Sequence, residues 1–300
     1  MKPADAKDFI KKLIPGKKKD RWGLVLEGGA MRCIFTAGVL DAIQETALDH
    51  FDYIIGVSAG TGCAMSYIAD QKGRSYKIFL NYLSTNQFID FRRFLKGSHI
   101  MDLGYAIREI NEQLLPINFE KFQSSKTKFY TVLTDAHTGE AFYVNPELDE
   151  LMDSLVATCN LPYLTRCPAE FRGKKYVDGG VATPIPLQKA LELGANKLVV
   201  VSTRPRGFRK KKSNFLRKLM GSFFSEFDNL TELIENDYAH YNRDKSFLEN
   251  FESDEVELIV VEPPADFPVE RLTTKKETLL EGYAMGIIEG LELSKRLLKK

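Results

Sequence analysis

The chain has 300 residues, a mass of 34.0 kDa and a formal charge of +1, from 42 basic side chains (Lys and Arg) and 41 acidic ones (Asp and Glu). This balance argues against a nucleic-acid-binding protein, because no surplus of positive charge is available to displace counterions from phosphates. Hydrophobic residues make up 44% of the chain, which is enough for a sizeable core and too much for a disordered chain.

Cysteine spacing and apolar run length limit the class of protein further. The four cysteines form no C-x-x-C pair, which argues against a zinc site and against a redox dithiol. No apolar run approaches the roughly 18 to 20 residues that span a bilayer, and the N-terminus lacks the apolar stretch of a signal peptide. We therefore expect a soluble, cytoplasmic globular protein.

Strands and helices alternate in the first part of the chain. Residues 1–20 are rich in lysine and form a predicted basic tail. Residues 22–27 are a short apolar run closed by two glycines, which is typical of a buried strand, and a helix is predicted over about 31–48. A second strand at 53–57 leads directly into a helix rich in small residues. This strand–helix–strand–helix order predicts a parallel sheet that is covered on both faces.

The middle of the chain is predicted to be mainly helical and then to return to strands. Residues 74–123 show helical patterns with loop signals between them. The apolar runs at 129–133 and 141–144 flank a turn, so we expect a hairpin there. A helix is predicted over about 147–159, and residues 176–180 place an aspartate and two glycines at the end of an apolar stretch.

The composition of the chain changes after residue 205, where basic residues crowd into a short stretch. The remaining predicted elements are a helix at 186–193, a strand at 197–201, a long helix at 225–251, a strand at 256–261 and a final helix at 274–299. We place a boundary near residue 205, which separates a main domain at 21–205 from a mainly helical C-terminal extension at 206–300.

Residues 56–60 read G-V-S-A-G and supply a candidate nucleophile. They match G-x-S-x-G, in which the serine lies on a tight turn between a strand and a helix. Gly56 and Gly60 leave room in a turn where Cβ atoms would not fit, and Ser58 lies at a helix N-terminus, where backbone N–H groups favour negative charge. The alternative is that Ser58 only caps the helix.

A serine hydroxyl needs a base, and Asp178 is the candidate. None of the four histidines lies in a strand-end turn bounded by glycines; His137 comes nearest, but its surroundings predict a hairpin turn. Asp178 is followed by two glycines at the end of an apolar stretch. A carboxylate there accepts a proton if it is held against the hydroxyl and shielded from water. The alternative is an ordinary Asx turn.

Residues 26–32 contain a glycine pair, which is a candidate anion-binding loop. Consecutive glycines let backbone N–H groups converge on an oxyanion. The spacing fits neither G-x-G-x-x-G nor a P-loop, which argues against a dinucleotide-dependent enzyme. Arg32 opposes the dipole of the helix that follows, so it needs a partner. The first choice is a protein carboxylate such as Glu27, and the second is an anionic group of the substrate.

The three motifs, in this order, resemble those of the patatin-like phospholipases. That family pairs a glycine-rich oxyanion loop, a G-x-S-x-G serine and a D-G-[GA] aspartate as a Ser–Asp dyad without histidine. The matching stretches here are residues 27–32, 56–60 and 178–180. The resemblance covers roughly residues 22–203 and is closest to bacterial members with a C-terminal extension. One departure is Cys33, which stands where the family usually has glycine.

The resemblance implies a three-layer α/β/α fold with a mostly parallel sheet and Ser58 on a nucleophile elbow. It implies that Asp178 accepts the Ser58 proton and that the N–H groups of Gly28, Gly29 and Ala30 hold the oxyanion. Supporting positions are Arg32, Gly56, Gly60 and Gly179. The expected function is a serine acyl hydrolase of the phospholipase A type with a lipid or other ester substrate, without metal or organic cofactor. The alternative is a catalytically idle lipid- or acyl-binding scaffold.

Residues 206–220 mix Lys and Arg with phenylalanine and leucine. We hypothesise that this segment docks on anionic lipid headgroups, which would place the protein peripherally on the inner membrane face. The alternative is a solvated loop that leads into the next helix.

Overall fold

The structure is a computed structural model that describes residues 20–45, 51–212, 224 and 226–298. Within these residues eight strands form one sheet. They are β1 (Trp22–Leu26), β2 (Tyr53–Val57), β3 (Lys128–Asp135), β4 (Ala141–Val144), β5 (Ala169–Phe171), β6 (Lys174–Asp178), β7 (Lys197–Val201) and β8 (Glu257–Val261).

The sheet is mostly parallel, as the sequence predicts. Its strand order is β5-β6-β3-β2-β1-β7-β8, and β4 pairs with β3 beside this path. The five strands from β3 to β8 in this order run parallel to one another, whereas β4, β5 and β6 form antiparallel pairs. Every residue of β2 is buried, because a central parallel strand is covered on both faces.

The helices of the described residues surround this sheet. They are α1 (Ile34–Ile43), α2 (Ala59–Ile68), α3 (Arg74–Ile78), α4 (Phe91–Leu95), α5 (Phe119–Ser124), α6 (Leu151–Thr158), α7 (Leu187–Glu192), α8 (Asp228–Glu235), α9 (Asp237–Glu249) and α10 (Lys276–Leu298). Two π-helical segments, Phe79–Leu83 and Gly104–Leu114, join the α-helices between β2 and β3. Single 3-10 turns occur at Ala30–Cys33, Leu148–Glu150 and Gly179–Val181.

The core consists of two main apolar layers, one on each face of the sheet. Leu24 and Leu26 of β1 pack into the layer that contains α1 and α2. Val25, which points to the opposite face, packs with α7 and α9. This alternation along one strand confirms the predicted three-layer α/β/α arrangement.

The structure differs from the predicted elements in two places. The single long helix predicted at 225–251 is two helices, α8 and α9, which are separated at Asn236. The side-chain amide of Asn236 donates a hydrogen bond to the Glu232 carbonyl, and such local bonds make asparagine a weak former of helix interiors. The short strand β5 was not predicted, because three residues carry too little periodic signal.

The C-terminal part of the chain continues the same layers. β8 pairs in parallel with β7, and α10 packs along α1. The two helices approach so closely that a Cβ atom on Gly38 of α1 would overlap the Tyr283 carbonyl of α10, so only glycine fits. The Tyr283 hydroxyl donates a 2.8 Å hydrogen bond to Asp41 of α1. The region after residue 205 is mainly helical, and the domain boundary there stays a prediction.

Two predicted segments fall largely outside the described residues. The structure describes only Asp20 of the predicted N-terminal tail, and the basic segment at 206–220 is described only up to residue 212. Across the described helices, none combines the length and the apolar character that a membrane span requires.

Candidate active site

Ser58 lies on a strained elbow between β2 and α2. Its backbone angles, φ 53° and ψ −132°, are rare for a residue with a side chain. Its N–H donates a 3.0 Å hydrogen bond to the Thr158 hydroxyl, which itself donates to the Val132 carbonyl at 2.6 Å. A Cβ on Gly60 would lie 2.9 Å from the Leu26 carbonyl oxygen. Ser58 makes no side-chain capping bond to α2, so the helix-cap alternative does not account for it.

The pairing of the strands brings Asp178 to the same end of the sheet as Ser58. Val57 of β2 pairs with Val132 of β3, and Asp178 of β6 pairs with the next residue, Leu133. Ser58 follows Val57 directly, and both Ser58 and Asp178 line one cavity. Two residues that are far apart along the chain therefore line the same cavity at this end of the sheet.

Asp178 is a buried carboxylate with one free oxygen. Only 2% of the residue is exposed, and Oδ1 accepts a 2.8 Å hydrogen bond from the Gly180 N–H. Oδ2 has no partner of normal hydrogen-bond geometry among the described residues. Burial raises the pKa of Asp178 to about 6, while the nearby Ser58 hydroxyl and the Gly180 N–H oppose this rise. The carboxylate is a stronger base than an ordinary aspartate and is still ionised at neutral pH.

Gly179 and Gly56 hold the chain close to these two side chains. A Cβ on Gly179 would overlap the Val132 carbonyl, and one on Gly56 would lie 2.6 Å from Thr61 Cα. Both positions therefore tolerate no side chain.

The glycine loop lies directly against Ser58. Gly28, Gly29 and Ala30 line the same cavity as Ser58. A Cβ on Gly28 would lie 2.8 Å from the Ser58 Cβ. Ala30 has a positive φ of 48°, which turns the chain sharply into the helical segment that continues as α1. The loop thus combines close approach and backbone strain next to Ser58.

Glu27 and Arg32 do not pair as the sequence suggested. Both are buried, but Glu27 Oε2 accepts hydrogen bonds from the Ser202 hydroxyl at 2.6 Å and from the Thr203 N–H at 2.7 Å. Nε and Nη1 of Arg32 have no hydrogen-bond partner within the described part of the chain. Glu27 therefore ties the loop to the end of β7, and Arg32 faces the cavity without an acceptor.

Cys33, the departure from the family pattern, is a packed core residue. Its thiol is fully buried and lies 3.6 Å from the Glu27 carbonyl. Burial raises the pKa of Cys33 to about 12, so the thiol is not a nucleophile at neutral pH. The side chain is accommodated beside Cys63 in the core.

No histidine in the described residues lines the cavity. His137 lies in the turn after β3, where its N–H donates to Asp135 and its ring packs on Phe227. His99 Nδ1 accepts a bond from the Arg166 N–H. The arrangement offers a carboxylate and no imidazole beside Ser58.

Ser58, Ala30 and Leu161 separate two cavities of similar size and opposite character. The apolar cavity, about 720 Å³ including space open to solvent, is enclosed by α2, α3, the two π-helical segments and α6. Its walls include Met65, Phe79, Leu103, Ala106, Ile107 and Leu155. The cationic cavity, about 760 Å³ on the same measure, also contains Asp178 and the glycine loop.

Four basic side chains line the cationic cavity: Arg32, Arg204, Lys210 and Arg271. Sequence analysis singled out Arg32 for this site and considered Lys210 only as part of a lipid-docking segment. Arg204 and Arg271 belong to no motif, so no local signal could have assigned them. Lys210 pairs with Asp237, and Arg209 pairs with Glu249, so both bind protein carboxylates.

Two family models match the chain. One, described as patatin-like phospholipase, matches residues 24–191, and the other, described as a domain of unknown function (DUF6363), matches residues 227–299. The chain is 28% identical over 274 residues to the uncharacterized protein YjjU of Escherichia coli (strain K12), which covers 90% of this chain and 76% of YjjU.

Mouse relatives match the first part of the chain. Identity is 28% over 178 residues to the 1-acylglycerol-3-phosphate O-acyltransferase Pnpla3, covering 57% of this chain and 42% of the mouse protein. Identity is 26% over 167 residues to an omega-hydroxyceramide transacylase, covering 53% of this chain and 27% of that protein. The chain thus spans less than half the length of either mouse relative.

Among solved structures, VipD from Legionella pneumophila aligns with a TM-score of 0.46 at 15% sequence identity, covering 94% of this chain and 67% of VipD. The family match is the stronger finding, because residues 24–191 are more than half of the chain and include the glycine loop, Ser58 and Asp178. This chain belongs to the patatin-like phospholipase family.

Proposed function

We propose that this protein is a serine acyl hydrolase, a phospholipase A-like lipid esterase that works through a Ser58–Asp178 dyad. The observation that carries the proposal is the position of Ser58. It lies on a strained elbow, beside a buried carboxylate with a free oxygen, at the junction of an apolar and a polar cavity. An ester of a long-chain acid requires this combination of nucleophile, base and divided binding space.

The first half of the proposed reaction forms an acyl-enzyme. Asp178 accepts the proton of the Ser58 hydroxyl while Ser58 Oγ attacks the ester carbonyl carbon. The carbonyl electron pair moves onto oxygen, where the N–H groups of Gly28, Gly29 and Ala30 stabilise the charge. When the intermediate collapses, the C–O bond to the alcohol breaks and the alcohol leaves with the proton held by Asp178.

The second half returns the enzyme to its starting state. Asp178 takes a proton from water as the water oxygen attacks the acyl carbon, and the oxyanion is held by the same loop. Collapse expels Ser58 Oγ, which recovers its proton from Asp178, and releases the carboxylic acid. The raised pKa of Asp178 supports this role, because a base near neutrality both accepts and returns a proton readily.

The apolar cavity supports a lipid substrate. It opens beside Ser58 and is lined by aliphatic, aromatic and methionine side chains, so an acyl chain bound there leaves water. The names of the two mouse relatives describe acyl transfer to an alcohol. Such transfer shares the acyl-enzyme and differs only in the acceptor; we propose water as the acceptor here.

We also retain the proposal of a cytoplasmic protein with peripheral membrane contact. Arg206, Lys211 and Lys212 are exposed, whereas Arg209 and Lys210 are paired with protein carboxylates. Replacing Lys211 and Lys212 with glutamine is expected to reduce sedimentation with anionic liposomes, because each cation near such a surface contributes about 1 kcal/mol. Unchanged sedimentation would leave the solvated-loop alternative.

The catalytic proposal is tested by p-nitrophenyl acyl ester hydrolysis with the wild type, Ser58→Ala and Asp178→Asn. We expect each substitution to lower kcat/KM about 10³-fold or more, because a nucleophile and its base act as a unit. A fluorophosphonate probe is expected to label the wild type at Ser58 and not to label Ser58→Ala. Ser124→Ala, an exposed serine at the end of α5, is the matched control and keeps full activity.

Two outcomes would contradict the proposal. Hydrolysis that survives Ser58→Ala at the wild-type rate would exclude this nucleophile. A folded wild type that neither hydrolyses esters nor reacts with the probe, but binds acyl chains, would favour the lipid-binding scaffold instead.

A further inference from the structure

The cationic cavity contains more positive charge than its acidic residues balance. Arg32, Arg204, Lys210 and Arg271 line it together with Glu27, Asp178 and Asp237. Two of the four cations have carboxylate partners: Lys210 pairs with Asp237, and Arg204 pairs with Glu270 at 3.2 Å. The two remaining cations, Arg32 and Arg271, therefore determine which ligand the cavity binds.

Arg32 and Arg271 form no ion pair with a carboxylate within the described ranges. Arg271 donates from Nη1 to the Tyr163 hydroxyl, which is a neutral acceptor. Glu27, the acid closest to Arg32 in sequence, is occupied by Ser202 and Thr203. The cavity beside Ser58 thus holds two guanidinium groups with which no described carboxylate pairs directly. Glu27 and Asp178, which also line the cavity, offset part of their charge at longer range.

Buried hydrogen-bond donors in this cavity also lack acceptors. Only 3% of Arg32 is exposed, yet its Nε and Nη1 have no partner among the described residues. The hydroxyl of Tyr241 lies close to Glu27 but has no partner of normal hydrogen-bond geometry there. Burying an unsatisfied donor is unfavourable by about 1–3 kcal/mol, and more for a charged group. Native structures retain such donors where a ligand supplies the acceptor.

The electrostatics agree with this geometry. Burial and the neighbouring charges of Arg271 and Arg204 together lower the pKa of Arg32 to about 10, and Glu27 opposes this shift. Arg32 nevertheless stays protonated at neutral pH. The four cations lie in a place shielded from water and exceed the three carboxylates that line it, so an anionic ligand reduces their repulsion.

We propose that the cationic cavity binds the phosphate monoester group of an acylated substrate, with Arg32 and Arg271 as its main contacts and the Tyr241 hydroxyl as a third donor. This inference rests on the proposed function, because it assigns the phosphate to the polar side of the ester that Ser58 attacks.

The choice of a phosphate monoester follows from charge and shape. Guanidinium groups match phosphate oxygens with paired, charge-assisted hydrogen bonds. A phosphate monoester carries about −1.5 to −2 charges at pH 7, and the four cations that line the cavity exceed its three lining carboxylates by one. A choline phosphodiester carries no net charge, and a neutral glyceride has no phosphate, so neither balances this cavity.

The C-terminal region completes the site. Tyr241 and Arg271 lie outside residues 24–191, which match the patatin-like phospholipase model, and inside residues 227–299, which match the domain of unknown function. Met31 N–H donates a 3.2 Å hydrogen bond to the Arg271 carbonyl, so the loop that carries Arg32 is tied to the segment that carries Arg271. The proposed phosphate site thus combines Arg32 of the glycine motif with Arg271 and Tyr241 of the extension.

The test compares two soluble substrates with the same acyl chain, 1-hexanoylglycerol 3-phosphate and 1-hexanoylglycerol. We expect the full-length wild type to prefer the phosphate by about 10- to 100-fold in kcat/KM, mainly through KM. Arg271→Gln is expected to bring this ratio close to one, and Arg271→Lys to keep part of it. Arg92→Gln, an exposed arginine on α4, is the matched control and keeps the ratio.

Inhibition by glycerol 3-phosphate and by inorganic phosphate tests whether the bound phosphate is the headgroup of the substrate or a separate anion. Glycerol 3-phosphate is expected to inhibit the wild type competitively against 1-hexanoylglycerol 3-phosphate, with a KI that rises at least tenfold in Arg271→Gln. Inorganic phosphate that binds through Arg271 without competing with the substrate would indicate a separate anion site and would overturn the headgroup assignment. A wild-type ratio near one would overturn it as well.

Failure of this proposal is distinguishable from failure of the proposed function. If p-nitrophenyl esters are hydrolysed through Ser58 but no phosphate preference appears, the hydrolase stands and the headgroup assignment is wrong. If no ester is hydrolysed, calorimetry on Ser58→Ala decides: tighter binding of 1-hexanoylglycerol 3-phosphate than of 1-hexanoylglycerol, lost in Ser58→Ala/Arg271→Gln, supports the phosphate site. Equal binding of the two compounds overturns it.

Discussion

The apolar cavity and the cationic cavity meet at Ser58, yet they come from different parts of the chain. The apolar walls come from helices between β2 and β6, in the region that matches the family model. The cationic cavity combines the family motifs with Arg204, Tyr241 and Arg271 from beyond that region. Ser58 thus lies between an apolar space and a charged one. Under the proposed function, the two halves of an ester can therefore be selected separately.

The positive charge of the cationic cavity does not fully offset the unfavourable burial of the Asp178 carboxylate. Arg271 and Lys210 both favour ionisation of Asp178, but burial outweighs them and raises its pKa from an ordinary 3.8 to about 6. Ionised Asp178 therefore lowers the folding stability of the protein, as is common for residues of functional sites.

Asp178→Asn is expected to stabilise the fold while it removes activity. Because the folded pKa lies above the unfolded one, ionisation of Asp178 destabilises the native state as pH rises past about 4 and up to about 6. The substitution should raise the free energy of unfolding by about 3 kcal/mol at pH 8 and by little at pH 3.5. Urea denaturation at both pH values measures this, and a loss of stability at pH 8 would contradict it.

Filling the apolar cavity is expected to change chain-length preference without touching the charged side. Ala106 lies on the wall of this cavity, in the second π-helical segment. Ala106→Phe should lower kcat/KM for a palmitoyl ester relative to an acetyl ester by about 100-fold, because displaced methylenes each lose about 0.8 kcal/mol of burial. The acetyl ester, measured on the same variant, is the control; an equal fall for both esters would indicate general damage.

Two glycines of α2 test how tightly each side of Ser58 is packed. A Cβ on Gly60 would lie 2.9 Å from the Leu26 carbonyl, whereas one on Gly62 would meet nothing within 4 Å. Gly60→Ala should destabilise the protein by about 2 kcal/mol, and Gly62→Ala should stabilise it by about 0.5–1 kcal/mol through helix propensity. Thermal unfolding of both variants measures the difference, and equal effects would contradict it.

The pH dependence of kcat/KM tests whether the charges of the cationic cavity act on Asp178. Since Asp178 must be ionised to accept a proton, kcat/KM should fall about tenfold for each pH unit below roughly 6. Arg271→Gln removes a charge that lowers the pKa of Asp178, so the acidic limb should move to higher pH. A limb that stays in place, or moves to lower pH, would show that Arg271 does not act on the base.

Features that depend on local backbone requirements were predictable from the sequence. The glycines around Ser58, the aspartate followed by two glycines, and the buried strands all leave a local pattern, since each constrains neighbouring residues. The order of strands and helices predicted a parallel sheet that is covered on both faces. The three motifs together indicated the family resemblance.

Features that depend on distant contacts were not predictable. Arg271 and Tyr241 lie in unremarkable sequence, and only the fold brings them beside Arg32. The lack of a hydrogen-bond acceptor for Arg32 could not be predicted from the sequence either. It arises because Glu27 accepts hydrogen bonds from Ser202 and Thr203 in the folded structure. The apolar cavity was not predicted for a similar reason. Helical periodicity indicates which residues face inward, but it does not indicate where their side chains leave a cavity.

The tight seam between α1 and α10 has a consequence for the order of events during synthesis. α1 continues directly from the turn that carries the glycine loop, and its Gly38 face is covered by a helix translated far downstream. A nascent chain therefore exposes this face until α10 has emerged and docked, and the loop lacks its bond to the Arg271 carbonyl until residue 271 has emerged. The packing around Ser58 is thus completed only after this downstream part of the chain has been translated.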